Sequence, residues 1–292
     1  MTAAGPLPPP LLAVLGHPVA HSLSPVMHEA GFAAVGRAGR YVACDVPPQR
    51  LGAAVAGLAA LGFAGCNCTV PLKEAALALA TRRSPEAERT GAANTLAFRD
   101  GEIYADTTDG RGLLAALAEE AGFSAAGRCV LLLGAGGAAR GVAAALAGAG
   151  AARVVVANRT VPRALRLAAD LGGPVCAGEA DAAEAARADL IVNCTSVGMD
   201  GRALPLSAEA LEASGALICD IVYAPAEQTP LLRAARARGL RTVGGIGMLA
   251  WQAALAWEVW FGARGPAGVF ARAARDALAS GPAGADVRRA KH

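Results

Sequence analysis

Arg128-Cys129-Val130-Leu131-Leu132-Leu133-Gly134-Ala135-Gly136-Gly137-Ala138-Ala139 is the stretch on which the reading of the fold turns. The apolar run to Leu133 reads as a strand, and the Ala-rich run that follows to Leu146 reads as a helix. Between them lies Gly-x-Gly-x-x-Ala. Gly134 permits the tight turn, Gly136 lets a pyrophosphate approach the backbone, and Ala139 lets helix and strand close together. The helix N-terminus directs its unsatisfied N–H groups at the anion. A glycine pattern alone carries little weight, but in a strand–turn–helix setting residues Gly134 to Ala138 point to a bound dinucleotide.

The end of the next strand decides which dinucleotide. Sites for NAD place Asp or Glu there to hold the ribose 2′-hydroxyl. This chain has Val156-Ala157-Asn158-Arg159-Thr160-Val161-Pro162-Arg163, with no carboxylate and two Arg four residues apart at a helix start. Guanidinium groups pair well with a phosphate dianion. Arg is also the chain's ordinary surface cation. Its position at this strand end favours recognition of a 2′-phosphate by Asn158, Arg159, Thr160 and Arg163, and the expected cofactor is NADP(H).

Outward from this loop, short apolar strands alternate with Ala-rich helices in both directions. Leu11–Leu15, Tyr41–Cys44 and Ala64–Asn67 read as strands. Pro25–Gly36, Arg50–Leu61 and Pro71–Ala80 read as helices, with Ser24 as N-cap and Pro25 at N1. Ala93–Phe98 and Glu102–Ala105 flank Arg99-Asp100-Gly101, a hairpin signal. Later strands fall near 128–133, 153–158, 189–194, 216–221 and 241–243. Such alternation implies parallel sheets. The expected architecture is two α/β domains: a substrate-binding domain over 1–109 and a Rossmann-like domain over 110–245. C-terminal helices over 246–280 return to the first domain, and residues 281–292 form a loose tail.

Composition narrows the class. The 292 residues carry a formal charge of +3 with few aromatics, which is no nucleic-acid footprint. No long uncharged apolar run suggests a membrane span, and the Pro-rich start lacks the basic region of a signal peptide. Seven scattered Cys read as reduced thiols of a cytoplasmic protein, with no ligand spacing for a metal. The expected assembly is a monomer or a homodimer, and the expected partner is a small-molecule substrate.

The chain prefers Arg to Lys so strongly that only Lys73 and Lys291 occur, and Lys291 lies in the tail. Lys73 falls in the first turn of a helix, where a cation opposes the helix dipole. That position marks it as functional. Other small polar groups collect at element ends: Ser22 and Ser24, Asn67 and Thr69, Asn94, and Thr108-Asp109-Gly110. Two hydroxyls before a helix suit a carboxylate ligand. Ser24 and Asp109 also read as plain N-caps.

His21-Ser22-x-Ser24-Pro25, Asn67-x-Thr69-Val70-Pro71-x-Lys73, Gly91-Ala92-x-Asn94-Thr95, Thr108-Asp109-Gly110, the glycine loop, Asn158-Arg159-Thr160 and Gly247-Met248-Leu249-x-x-Gln252 together resemble shikimate dehydrogenase, in order, over roughly 11–280. The resemblance implies reversible, NADPH-dependent reduction of 3-dehydroshikimate to shikimate. It implies Lys73 and Asp109 as the catalytic pair, and Ser22 and Ser24 on the substrate carboxylate. Asn67, Thr69, Asn94, Tyr223 and Gln252 bind its hydroxyls or line the site, as Asp109 also does. Thr195, Ile221, Gly245 and Met248 surround the nicotinamide. Thr107 stands where the family commonly has Asn, and Ala93 where it often has Val. Alternatives are a quinate or aminoshikimate dehydrogenase, a methylenetetrahydrofolate dehydrogenase-like enzyme, and a non-catalytic NADP-binding sensor. His17 and His28 read as packing or surface residues, and Trp251, Trp257 and Trp260 as packing.

Overall fold

A computed structural model describes residues 9–280. The expected tail over 281–292 and the start of the Pro-rich segment lie outside the described residues. The chain forms two compact units. Among the described residues, one comprises 9–108 together with Ala253–Phe270; the other comprises Asp109–Gln252 and 271–280.

The first unit contains β1 (Leu11–Gly16), α1 (Ser24–Ala34), β2 (Arg40–Asp45), α2 (Leu51–Ala60), β3 (Gly65–Cys68), α3 (Lys73–Ala78), β4 (Arg82–Arg83), α4 (Pro85–Thr90), β5 (Thr95–Arg99) and β6 (Glu102–Asp106). Its sheet runs β2-β1-β3-β5-β6-β4. β2, β1 and β3 are parallel, whereas β5 pairs antiparallel with β3 and β6. The hairpin expected at Arg99–Gly101 is present: Arg99 pairs with Glu102, with φ of 52° at Asp100 and 77° at Gly101. Two left-handed residues in a two-residue loop match the twist of the strands they join.

Two helix starts differ from expectation. Leu23, not Ser24, is the N-cap of α1, and no side chain caps it. The Ser24 N–H instead donates to Ser22 Oγ at 3.3 Å, so Ser24 is already helical. Pro71 does not open α3 either. Leu72 N–H donates to Thr69 O at 2.7 Å, and the turn delays the helix to Lys73.

The second unit contains α5 (Asp109–Ala121), β7 (Cys129–Leu133), α6 (Gly137–Gly148), β8 (Arg153–Ala157), α7 (Val161–Leu171), β9 (Val175–Ala177), α8 (Ala182–Arg187), β10 (Leu190–Asn193), α9 (Ala208–Ala213), β11 (Leu217–Asp220), α10 (Pro230–Ala237) and β12 (Thr242–Val243). All its strands are parallel, in the order β12-β11-β10-β7-β8-β9. This is the doubly wound order, whose winding reverses between β7 and β10. Val130, Leu132, Val154, Val156, Leu190 and Val192 fill one face; Leu131, Leu133, Val155 and Ile191 fill the other. Burial on both faces explains the unbroken apolar runs. β9 and β4 are too short to impose a period on the sequence, and neither is legible there.

α11 (Gly245–Phe261) and α12 (Ala267–Ala279) complete the chain. Sequence placed 246–280 with the first domain; the portion grouped with that unit is Ala253–Phe270. The opening turns of α11 are held in the second unit. Met248 joins its core, Trp251 Nε1–H donates to Glu119 at 2.6 Å, and a Cβ on Gly112 would stand 2.8 Å from Gln252 N.

Within the first unit, Trp257, Trp260 and Phe270 surround His28, which stacks on Tyr41 at 4.0 Å between ring centroids. Trp257 Nε1–H donates to His28 Nδ1 at 2.7 Å, and Trp260 Nε1–H donates to Leu96 O at 2.9 Å. His28 therefore carries its proton on Nε2, which is buried and has no hydrogen-bond partner among the described residues. Burial lowers its pKa from 6.5 to about 3. The unfolded chain thus takes up a proton below pH 6.5 that the folded chain refuses until about pH 3. Across that window this group alone lowers stability by roughly 1.4 kcal/mol per pH unit on acidification. Denaturant unfolding at pH 6.5 and pH 4 is expected to show a steeper acid loss for the native chain than for His28→Gln. Equal slopes would exclude this role.

Candidate active site

In the first unit, the polar residues singled out by sequence gather where β1, β3 and β5 meet the starts of α1 and α3. Asn67 is the penultimate residue of β3 and its side chain is buried. Its Nδ2 donates to Asn94 O at 2.9 Å and Thr95 Oγ1 at 3.1 Å, and its Oδ1 accepts from Tyr41 Oη at 2.6 Å. Asn94 Nδ2 donates to Thr108 Oγ1 at 2.9 Å, while Asn94 Oδ1 accepts from Thr108 N and Thr95 Oγ1. Ala93 N–H donates to the carbonyl of Lys73 at 2.9 Å, which stitches the head of α3 to the Asn94 loop. Lys73 itself is half-buried at the first position of α3, as are Ser22 and Thr69, and Ser24 is buried.

Tyr41 was not singled out by sequence. It lies in an apolar strand with no motif around it, and its partners are residues distant in sequence. Burial raises its pKa well above the ordinary phenol value, against a hydrogen bond from Ser24. The hydroxyl stays protonated and donates to Asn67, so one phenol orders two of the predicted residues.

Asp109, Tyr223 and Gln252 belong to the second unit. Asp109 is buried at the first position of α5. Burial raises the pKa of the half-buried Tyr223. Gln252 Nε2 donates to Leu249 O at 2.9 Å.

A groove of about 520 Å³ opens at the carboxyl ends of the second sheet, and Gly134, Asn158, Arg159, Thr160, Arg163 and Thr195 line it. Gly134 has φ +110°, and a Cβ there would stand 2.9 Å from Thr195 Cγ2. The chain thus needs glycine at the winding reversal. Gly136 is the N-cap of α6, and no atom lies within 4 Å of the Cβ it lacks. Ala135, Gly137 and Ala138 continue the loop into α6, and buried Ala139 packs it down.

Asn158 Nδ2 donates to Thr160 O at 2.9 Å and shapes the turn after β8. Arg159 and Arg163 are exposed, and neither forms an ion pair with a described residue. Arg128, Arg140 and Arg153, by contrast, pair with Asp189, Asp170 and Glu184. Two uncompensated guanidiniums at the start of α7 work against its dipole, which suits a phosphate ligand rather than a decorative surface.

Ile221, Gly245 and Met248 lie outside the groove lining. Ile221 N–H donates to Asn193 O at 3.2 Å, and a Cβ on Gly245 would stand 2.4 Å from Ile221 O. Met248 is buried in the core of the unit. Among the described residues no group of His, Cys, Asp and Glu is arranged to hold a metal, and no helix is long and apolar enough to cross a membrane.

A doubly wound unit with a phosphate-ready groove, and a second α/β unit bearing clustered hydroxyls, amides and a lysine, define a two-domain dinucleotide-dependent dehydrogenase. Comparison with known proteins gives the particular family. Residues 14–96 match the shikimate dehydrogenase substrate binding domain, 116–200 the shikimate / quinate 5-dehydrogenase family, and 245–275 the shikimate 5'-dehydrogenase C-terminal domain. The shikimate dehydrogenase (NADP(+)) of Symbiobacterium thermophilum is 48% identical over 283 residues, covering 93% of this chain and 96% of that protein. The shikimate 5-dehydrogenase of Thermus thermophilus, solved with NADP(H) and shikimate, superimposes with a TM-score of 0.84 at 43% identity. That match covers 92% of this chain and 100% of the other. A quinate dehydrogenase of Corynebacterium glutamicum, solved with NAD, gives 0.82 at 30% identity over 91% and 98%. The chain belongs to the shikimate dehydrogenase family.

Proposed function

We propose that the protein catalyses the reversible NADPH-dependent reduction of 3-dehydroshikimate to shikimate. The observation that carries the cofactor choice is the uncompensated Arg159 and Arg163 pair on the groove. Open space over Gly136, at the N-terminus of the 12-residue helix α6, supports a pyrophosphate there. When bound, the nicotinamide supplies the hydride.

The chain's own residues supply position and the proton. Ser22 and Ser24, at the head of α1, suit the carboxylate. Asn94 and Asn67, ordered by Thr108 and Tyr41, present a fixed polar wall to ring hydroxyls. Lys73 donates a proton to the oxygen that develops negative charge, and accepts it in the reverse direction. Asp109 orients that lysine. Thr69, Tyr223 and Gln252 line the substrate. Thr195, Ile221, Gly245 and Met248 bound the nicotinamide side. The seven cysteines are all free thiols, which supports a reducing, cytoplasmic setting for the enzyme.

Steady-state assays with shikimate or quinate, each against NADP and NAD, test this reading. Shikimate with NADP is expected to give the highest kcat/KM. A higher value for quinate, or for NAD, would overturn the substrate or the cofactor assignment respectively.

A further inference from the structure

At the carboxyl ends of β10 and β11 lies a polar network whose centre is buried and whose outer members reach the groove. Asn193 and Asp220 are fully buried, and Thr229 is 1% exposed. Asn193 Oδ1 accepts from Thr195 N at 3.0 Å and Thr195 Oγ1 at 2.7 Å. Its Nδ2 donates to Val197 O at 3.1 Å and to Asp220 Oδ1 at 2.9 Å. Val197 N–H closes the ring by donating to Thr195 Oγ1 at 3.0 Å. Asp220 also accepts from Val222 N at 3.1 Å and from Thr229 Oγ1 at 2.6 Å. Thr229 caps α10 by accepting from Leu232 N at 3.3 Å.

We propose that Asp220, acting through Asn193, is a positioning residue that holds the Thr195–Val197 wall of the groove against the nicotinamide half of NADP(H). This rests on the reading of Thr195 as a nicotinamide-side residue. The Asn193 amide has every donor and acceptor engaged, and the loop is wound around it. Only one orientation of that amide works, because a flip would set NH₂ against the N–H of Thr195. An ionised carboxylate at Asp220 has no donor, so it enforces that orientation. Filling the same volume would need only an apolar side chain. A buried carboxylate is costly without its partners, and here three donors offset the burial that raises its pKa. The same group ties down Val222 and the cap of α10, so one buried residue registers both loops beyond the winding reversal. Asp220 does not line the groove.

The test is calorimetric binding of NADP⁺ and of adenosine 2′,5′-bisphosphate, which lacks the nicotinamide half. Asp220→Ala is expected to weaken NADP⁺ by about tenfold and the bisphosphate by less than about twofold. Asp220→Asn is expected to restore NADP⁺ to within about threefold, because its carbonyl still accepts from Asn193 and its amide can donate to Thr229. Equal losses for both ligands in folded Asp220→Ala, or no loss for either, would overturn the proposal. If Asp220→Ala does not fold, Thr229→Val is read in the same way. A shift of about threefold on NADP⁺ alone supports the role, and none rejects it. Failure of the underlying reading shows separately, as native protein that binds NADP⁺ no more tightly than the bisphosphate.

Discussion

Lys73→Arg is expected to fold normally and to lose about 10²- to 10⁴-fold in kcat, the usual size of a positioned proton-transfer group. The backbone at this position is secured independently of the side chain, because the Lys73 carbonyl accepts from Ala93 N–H. The side chain is half-buried at the head of a six-residue helix, so a longer cation can be housed without emptying the core. Arg is also the cation that this chain uses nearly everywhere else. A planar guanidinium stays charged in both directions of the reaction and places its donors differently from an ammonium. The loss should therefore fall on kcat more than on KM for shikimate, with the melting temperature little changed. Near-normal turnover in folded Lys73→Arg would remove Lys73 from the chemistry.

Replacing Arg159 and Arg163 together by Ala is expected to lower kcat/KM for NADP by about 10²-fold and to leave that for NAD within about threefold. On the proposed reading each change removes a charge-assisted contact to the 2′-phosphate, and both residues are exposed, so solvent tempers the loss. The two cofactors differ only in that phosphate, so their ratio reads the pair directly. Raising the ionic strength of the native assay should erode the NADP preference in the same sense. Equal loss with both cofactors would mean that the pair supports the fold of α7 rather than the phosphate. Stability should not fall: neither residue has an ion-pair partner among the described residues, and removing cations from a helix N-terminus relieves the dipole.

The elements that sequence made legible are those in which one local rule dominates. The glycine loop between β7 and α6 needs a left-handed residue at Gly134 and an open backbone at Gly136. The Asp100-Gly101 turn needs two left-handed residues in succession. Both constraints act within a few residues, so they leave a fixed mark. The retention of Lys73 in an Arg-rich chain is legible for a related reason: a cation at the first position of a helix works against its dipole, so the position stands out against the chain's own habits.

Where competing local rules met, sequence misjudged the detail. Ser24 followed by Pro25 has the form of a cap, yet Ser24 already lies inside α1 and its N–H bonds to Ser22. Pro71 has the form of a helix start, yet the turn from Thr69 to Leu72 delays α3. β4 and β9 left no periodic signal because two or three residues cannot carry one.

By itself, the sequence determined the alternation of strands and helices, the phosphate loop, the absence of a carboxylate after β8, and the set of small polar groups at element ends. These depend on neighbours along the chain. Only the tertiary structure decided that Tyr41 orders Asn67 and Ser24, and that Trp257 sets the tautomer of His28. It also decided that α11 is divided between the two units at Gln252, and that Asp220 reaches Thr195 through Asn193. Each of these joins residues from separate strands or helices. Burial then fixes their charge and hydrogen bonding, because a polar group removed from water must find its partner wherever the fold brings one.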